Sequence, residues 1–134
     1  MMFSVEYDDK AGIICCSGGG FLKVEEIEQY GRAMQGEIRR SMREFGNVGL
    51  LSLSTESAKV QTTELMEAAR DNWRRLGPDN RMALVVSSAL MRMQAARIYN
   101  SEQEKVFATE AEGRAWLLEW RAAQRGGAVR SGAA

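Results

Sequence analysis

Histidine is absent from the 134-residue chain, and cysteine occurs only as the neighbouring pair Cys15 and Cys16. Without an imidazole, a Ser-His-Asp triad, a Cys-His dyad and a histidine-ligated zinc site are all excluded. A hydrolase would have to work with carboxylates, Lys or Tyr. Aspartate is scarce too, limited to Asp8, Asp9, Asp71 and Asp79. No stretch approaches the roughly 20 apolar residues of a membrane-spanning helix. The opening Met1-Met2-Phe3-Ser4-Val5-Glu6 lacks the basic region and apolar run of a signal peptide. A cytoplasmic protein is expected, since a reducing compartment suits cysteines that do not pair. Net charge is also missing: 18 Lys and Arg are matched by 18 Asp and Glu. That balance argues against a broad phosphate-binding surface, so no nucleic-acid partner is expected.

What is present fits one globular α/β domain. Apolar residues make up 45% and charged residues 27% of the chain. A chain of this length buries roughly two-thirds of its unfolded surface, enough for one core without disulfides. Residues 3–7 and 12–17 are apolar, β-branched runs around the turn Asp8-Asp9-Lys10-Ala11-Gly12, which predicts a β-hairpin. Cys15 and Cys16 then point to opposite faces of the second strand. Ile27, Tyr30, Met34, Ile38, Met42 and Phe45 recur at helical spacing. Glu25, Glu26 and Glu28 near the start of that helix and Arg39, Arg40 and Arg43 near its end complement its dipole, and Gly46 closes it.

Val48 to Leu53 reads as a buried strand. Thr62 or Thr63 caps a second helix with Leu65, Ala69, Trp73 and Leu76 on one face, stopped by Gly77-Pro78. Met82 to Val86 is the next strand, and Ser87 or Ser88 caps a third helix reaching about Tyr99. Lys105 to Ala108 is a last short strand. Thr109-Glu110-Ala111-Glu112 fits a capping box opening a fourth helix, with Ala115, Trp116, Leu118 and Ala122 as its apolar residues. The order ββαβαβαβα predicts a five-stranded, mixed but mostly parallel sheet with four helices. The domain is expected to span residues 1–125, with 126–134 as a tail that has nothing to bury.

Three candidate features carry little chemistry. Gly18-Gly19-Gly20 joins a strand to a helix but lacks the glycine spacing of a dinucleotide site and the Gly-Lys-Ser/Thr of a phosphate loop. Cys15-Cys16 has no second cysteine or histidine group with which to ligate a metal, so no metal or cofactor is expected. The glutamate groups fall at helix starts and turns, where solvated carboxylates serve the helix dipole.

Two features carry more. Ser52, Ser54, Thr55 and Ser57 follow one central strand, and Ser87 and Ser88 follow the other. Ligands of open α/β sheets gather at the carboxyl ends of the strands, so these hydroxyls are candidates to bind an anion or accept a phosphoryl group. Ordinary capping and loop solvation explain the same residues. The third helix mixes Met91 and Met93 with Arg92 and Arg97. Methionine-rich faces adapt to varied partners, and helix packing gives the same pattern. Trp116 and Trp120 lie one turn apart, so one is expected inward and Trp120 is a candidate for a partner surface.

The hairpin, the helix after Phe21-Leu22-Lys23-Val24-Glu25-Glu26, the segment Val60 to Leu65, the strand and helix of Arg81 to Arg97 and the ending Val106-Phe107 through Ala115-Trp116-Leu117 together resemble small bacterial SpoIIAA-like, or STAS-like, proteins. The resemblance covers about residues 3–120. It implies a domain of the anti-sigma-factor-antagonist type that acts through protein contacts or ligand sensing rather than catalysis. Relatives carry a phosphorylated Ser in an Asp-Ser-x-Gly motif. The matching place here reads Ser54-Thr55-Glu56-Ser57, and Ser52 stands where many relatives place an Asp late in the third strand. The expected function is a non-enzymatic regulatory or interaction module, responsive to phosphorylation or a ligand, with a protein partner or a second copy of itself. The alternative is a protein that binds a small hydrophobic molecule or a membrane surface.

Overall fold

The computed structural model describes residues 3–18, 24–54 and 63–133. Its elements are β1 (Phe3–Asp8), β2 (Ile13–Gly18), α1 (Val24–Phe45), β3 (Gly49–Ser54), α2 (Thr63–Arg74), β4 (Arg81–Val86), α3 (Ala89–Ile98), β5 (Glu104–Phe107) and α4 (Glu110–Ala133). The five strands lie in chain order, β1-β2-β3-β4-β5. β1 and β2 are antiparallel and the other three pairs are parallel. The α/β class, the mixed sheet and the element order are as the sequence predicts.

This strand order arranges the helices. Three successive crossovers step the same way across the sheet, and right-handed crossovers then put α1, α2 and α3 on one face. α4 follows the last strand and covers the other face. The core divides accordingly. Ile14, Cys16, Leu50, Trp73 and Met82 pack with Tyr30, Met34 and Ile38 beneath the first helices. Ile13, Leu51, Ala83, Val85 and Leu117 pack with Trp116 and Trp120 beneath α4. Cys15 joins the second group and Cys16 the first, so the adjacent cysteines do face opposite ways, and both are free thiols.

The β1–β2 turn forms because Asp8 organises it. Its Oδ1 accepts the amides of Lys10 and Ala11 at 3.1 and 3.2 Å, and its carbonyl accepts that of Gly12 at 2.8 Å. Gly12 has φ +68°, and a Cβ there would stand 2.8 Å from the Phe45 ring and 2.9 Å from Arg121 Nε. Both conformation and space require glycine.

Four expectations about helix faces and strand limits are corrected. In α1, Ser41 rather than Met42 turns inward; Ser41 is buried and donates to Asn47 O at 2.7 Å, while Met42 is exposed. A helix with 3.6 residues per turn advances by about 40° for each step of four, so the stripe 34, 38, 42 drifts outward. Leu76 lies past the end of α2 and is exposed. The last turn there tightens, with Leu76 N–H donating to Trp73 O and Gly77 N–H to Arg74 O. On α4 the inward line is Gly113, Leu117 and Arg121, whereas Ala115, Leu118 and Ala122 are exposed. A Cβ at Gly113 would sit 3.1–3.3 Å from Leu51, Val85 and Ala83. The helix thus approaches the sheet through a glycine. β5 begins one residue early, at Glu104, and ends at Phe107. The α4 backbone runs on to Ala133.

The amino end of the sheet is tied by buried polar side chains. Asn80 Oδ1 accepts the Val48 amide at 2.8 Å, and Asn80 Nδ2 donates to Gly77 O. Arg121 donates to Gly12 O at 2.7 Å and to Asn47 Oδ1, and its guanidinium lies 4.5 Å from the Phe45 ring centroid and 4.4 Å from that of Trp120. The hairpin turn, the start of β3 and α4 are joined at this one side chain.

Candidate functional site

Of the hydroxyls expected to gather at the carboxyl end of the sheet, the described ones, Ser52, Ser87 and Ser88, are placed apart. Ser52 is paired in register with Cys16 and Leu84, and alternation turns it toward the α1 side with Leu50. The Tyr30 and Ser52 hydroxyls both hydrogen-bond the Cys16 sulfur. Burial pushes the Cys16 thiol up from its ordinary pKa, and the two hydroxyl contacts only partly oppose it. Burial likewise raises the Tyr30 phenol, with further upward contributions from Cys16. These groups form a neutral, hydrogen-bonded part of the core, the opposite of an activated thiolate.

Ser87 and Ser88 are exposed at the end of β4. Ser88 is the N-cap of α3, its Oγ accepting the Met91 amide at 3.4 Å. The choice between Ser87 and Ser88 as cap is thereby decided. Arg92 turns back onto the same strand end, donating to Val86 O at 2.9 Å and Ser87 O at 2.6 Å. Thr55 and Ser57 lie outside the described residues, as does the side chain of Ser54.

The third helix separates more clearly into faces. Ala95 and Ile98 are buried against Leu84, Val106 and Tyr99. Met91 is half-buried, Arg97 is exposed, and Met93 keeps 60% of its surface in solvent. Leu90, which the sequence reading passed over, is 75% exposed. Leu90, Met93 and Arg97 fall at i, i+3 and i+7, one stripe of the helix. The spacing was available in the sequence. Trp120 stands elsewhere, on the α4 side against Gly49, with Arg81 and Arg121 over its ring. It does not extend the α3 surface.

An open groove of about 480 Å³ lies along β5, on the flank of α3 that carries Ala96 and Tyr99 and faces away from Leu90. It is lined by Ala96, Tyr99 and Asn100 at the end of α3, by Lys105 and Val106 of β5 and by Trp116 of α4. Trp116 is fixed by Phe107, with ring centroids 5.7 Å apart, and Lys105 Nζ lies 5.6 Å from the Phe107 centroid. Glu104, at the foot of the groove, is 3% exposed and is held by Arg74, whose Nη2 and Nε both donate to Oε1. That hydrogen bond raises the Arg74 pKa. Burial raises the Tyr99 phenol, and the Glu104 charge adds to it. Tyr99 and Trp116 give the groove an aromatic lining along an edge strand.

Among the described residues no group of three or more His, Cys, Asp or Glu side chains could hold a metal ion, and no helix is long and apolar enough to cross a membrane. No protein-family model, curated protein or solved structure matches the chain.

Proposed function

We propose that the chain is a protein-interaction module of the STAS-like kind, working in the cytoplasm without catalysis, with α3 and the β5 edge as its contact surface. The observation that carries this reading is the open groove along β5 lined by Tyr99, Val106 and Trp116, with exposed Met93 one helical turn before its Ala96. Isolated apolar residues are ordinary on a surface, whereas apolar side chains continuous with such a groove are the composition of interface centres. The buried Cys16 thiol and the half-buried Tyr30 phenol support a non-enzymatic reading, because burial pushes both away from their reactive, ionised forms.

Phosphorylation offers a means of control at the same helix. Ser87 and Ser88 are the exposed hydroxyls at its start, and a phosphoryl group there would add a charge of about −1.5 to −2 beside Arg92.

A photo-crosslinking side chain placed at Met93, with the exposed Met42 on α1 as an apolar control, tests the surface in living cells. Adducts of defined mass from position 93 and none from position 42 are expected. Equal labelling at both positions, or no protein adduct at 93, would refute the reading.

A further inference from the structure

We infer that the occupant of the β5 edge is a second copy of this chain, joined by antiparallel β5–β5 pairing about a two-fold axis through Val106. The inference rests on the interaction surface proposed above and identifies its partner.

The backbone supplies the first step. Met82 N–H donates to Gln103 O at 2.7 Å, and the parallel register pairs Met82 with Glu104 and Leu84 with Val106. In a parallel ladder a residue directs both backbone groups to one neighbour, and its successor directs them to the other side. Residues 103, 105 and 107 therefore serve β4, and Glu104 and Val106 turn theirs outward. The Glu104 amide is taken internally by Ser101 O at 3.3 Å. Val106 N–H, Val106 C=O and Glu104 C=O face the groove.

Charge then selects the register. Pairing centred on Glu104 lacks the Glu104 amide, which Ser101 O already takes, and pairing centred on Lys105 would oppose two ammonium groups; like charges directly opposite destabilise a sheet. Centring on Phe107 leaves half of a four-residue strand without a partner. Centring on Val106 avoids all three. The two Val106 residues exchange two hydrogen bonds, each Lys105 lies opposite Phe107 of the other copy, and each Glu104 carbonyl lies opposite an Ala108 amide. Lys105 already approaches an aromatic face within its own strand, so the cross-strand contact uses the same cation–π chemistry.

The helix layer fits the same axis. α3 packs over β4 and β5 through Ala95 and Ile98. With strands about 4.8 Å apart, two such helices related by a two-fold axis at the β5 edge would stand about 10 Å from each other, the ordinary distance for packed helices. Ala96 and Tyr99 lie on the sides that meet, with Met93 at their outer margin. A formal net charge of zero leaves no overall repulsion between copies.

Light scattering on the purified 134-residue chain should give twice the monomer mass. Val106→Pro deletes the outward amide without touching a β4 hydrogen bond, and should give a monomer with native circular dichroism. Val106→Cys should form a disulfide-linked dimer on mild oxidation where the wild-type chain does not, because residues exchanging hydrogen bonds have Cα atoms about 5.5 Å apart, within disulfide range. A wild-type monomer at every concentration, or a dimer that survives in folded Val106→Pro, overturns the inference; should Val106→Pro fail to fold, absence of the Val106→Cys cross-link overturns it. A monomeric wild type that still gives a single adduct at position 93 refutes self-pairing alone and leaves the interaction surface standing.

Discussion

The two edges of the sheet are built in opposite ways. β1 is a six-residue edge whose outward alternation is charged: Glu6 and Asp8 are exposed, and Tyr7 is covered by α1. The Tyr7 hydroxyl donates to Glu44 at 3.1 Å, Arg40 lies 4.8 Å from the Tyr7 ring centroid, and Arg40 also pairs with Asp9 and Glu44. Charged side chains of this kind discourage the docking of another strand. β5 has four residues, buries its one carboxylate on Arg74 and opens into a groove with an aromatic lining. Brevity is its main protection. The contrast teaches that one edge is finished by charge and closed into the molecule, while the other presents apolar side chains beside unpaired backbone.

The largest effect is expected where the β1 edge is anchored. Gly12→Ala forces an alanine to φ +68° and drives its Cβ into Phe45 and Arg121. A loss of about 3 kcal/mol is expected from strain and overpacking together, read from urea unfolding. A loss within error would mean that the hairpin is not fastened at its turn.

Glu104→Ala comes second. It removes the buried carboxylate that holds Arg74 at the foot of the groove, and about 2 kcal/mol is expected, reduced by the partial solvation of Arg74. Glu104→Gln should recover part of it by keeping an acceptor for Arg74.

Val106→Pro is expected to lower monomer stability by less than about 1 kcal/mol, because proline is tolerated where the amide faces away from the sheet. A larger loss in a folded monomer would show that this edge is not free. Arg40→Ala is the smallest. Its contacts are exposed, so no change in unfolding midpoint is expected at high salt, where surface ion pairs are screened. A salt-independent drop would make the β1 cover a structural element rather than a guard.

Much of this architecture was readable from residue patterns. The hairpin turn, the opposed faces of Cys15 and Cys16, the closing Gly46 and the pairing of Thr109 with Glu112 all follow from local chemistry acting over a few residues. Gly46 has φ +79°, and Thr109 Oγ1 donates to Glu112 Oε1 at 2.8 Å while accepting the Glu112 amide. The inward face of α4 was not readable. Gly113 and Arg121 occupy it, and an apolar pattern passes over both: one permits close approach to β3 and β4, and the other is buried by contacts far away in sequence, at Gly12 and Asn47.

The candidate site divides in the same way. Met93 and Arg97 could be assigned to a surface from spacing, and Leu90 belongs to the same series. The groove could not be foreseen, because Tyr99, Val106 and Trp116 meet only after β5 takes the edge position. The hydroxyls of Ser52 and of Ser87 and Ser88 were grouped by their place at strand ends. Alternation sends Ser52 into the layer beneath α1, and the start of α3 leaves the other two in solvent.

Amide hydrogen exchange of the wild-type chain, followed residue by residue as protein concentration rises, compares the two edges within one sample. The Val106 amide should become more protected with concentration while the outward amides of β1 do not change. Exchange at Val106 that is independent of concentration, or equal protection gained along β1, would contradict the distinction between a guarded edge and a pairing edge.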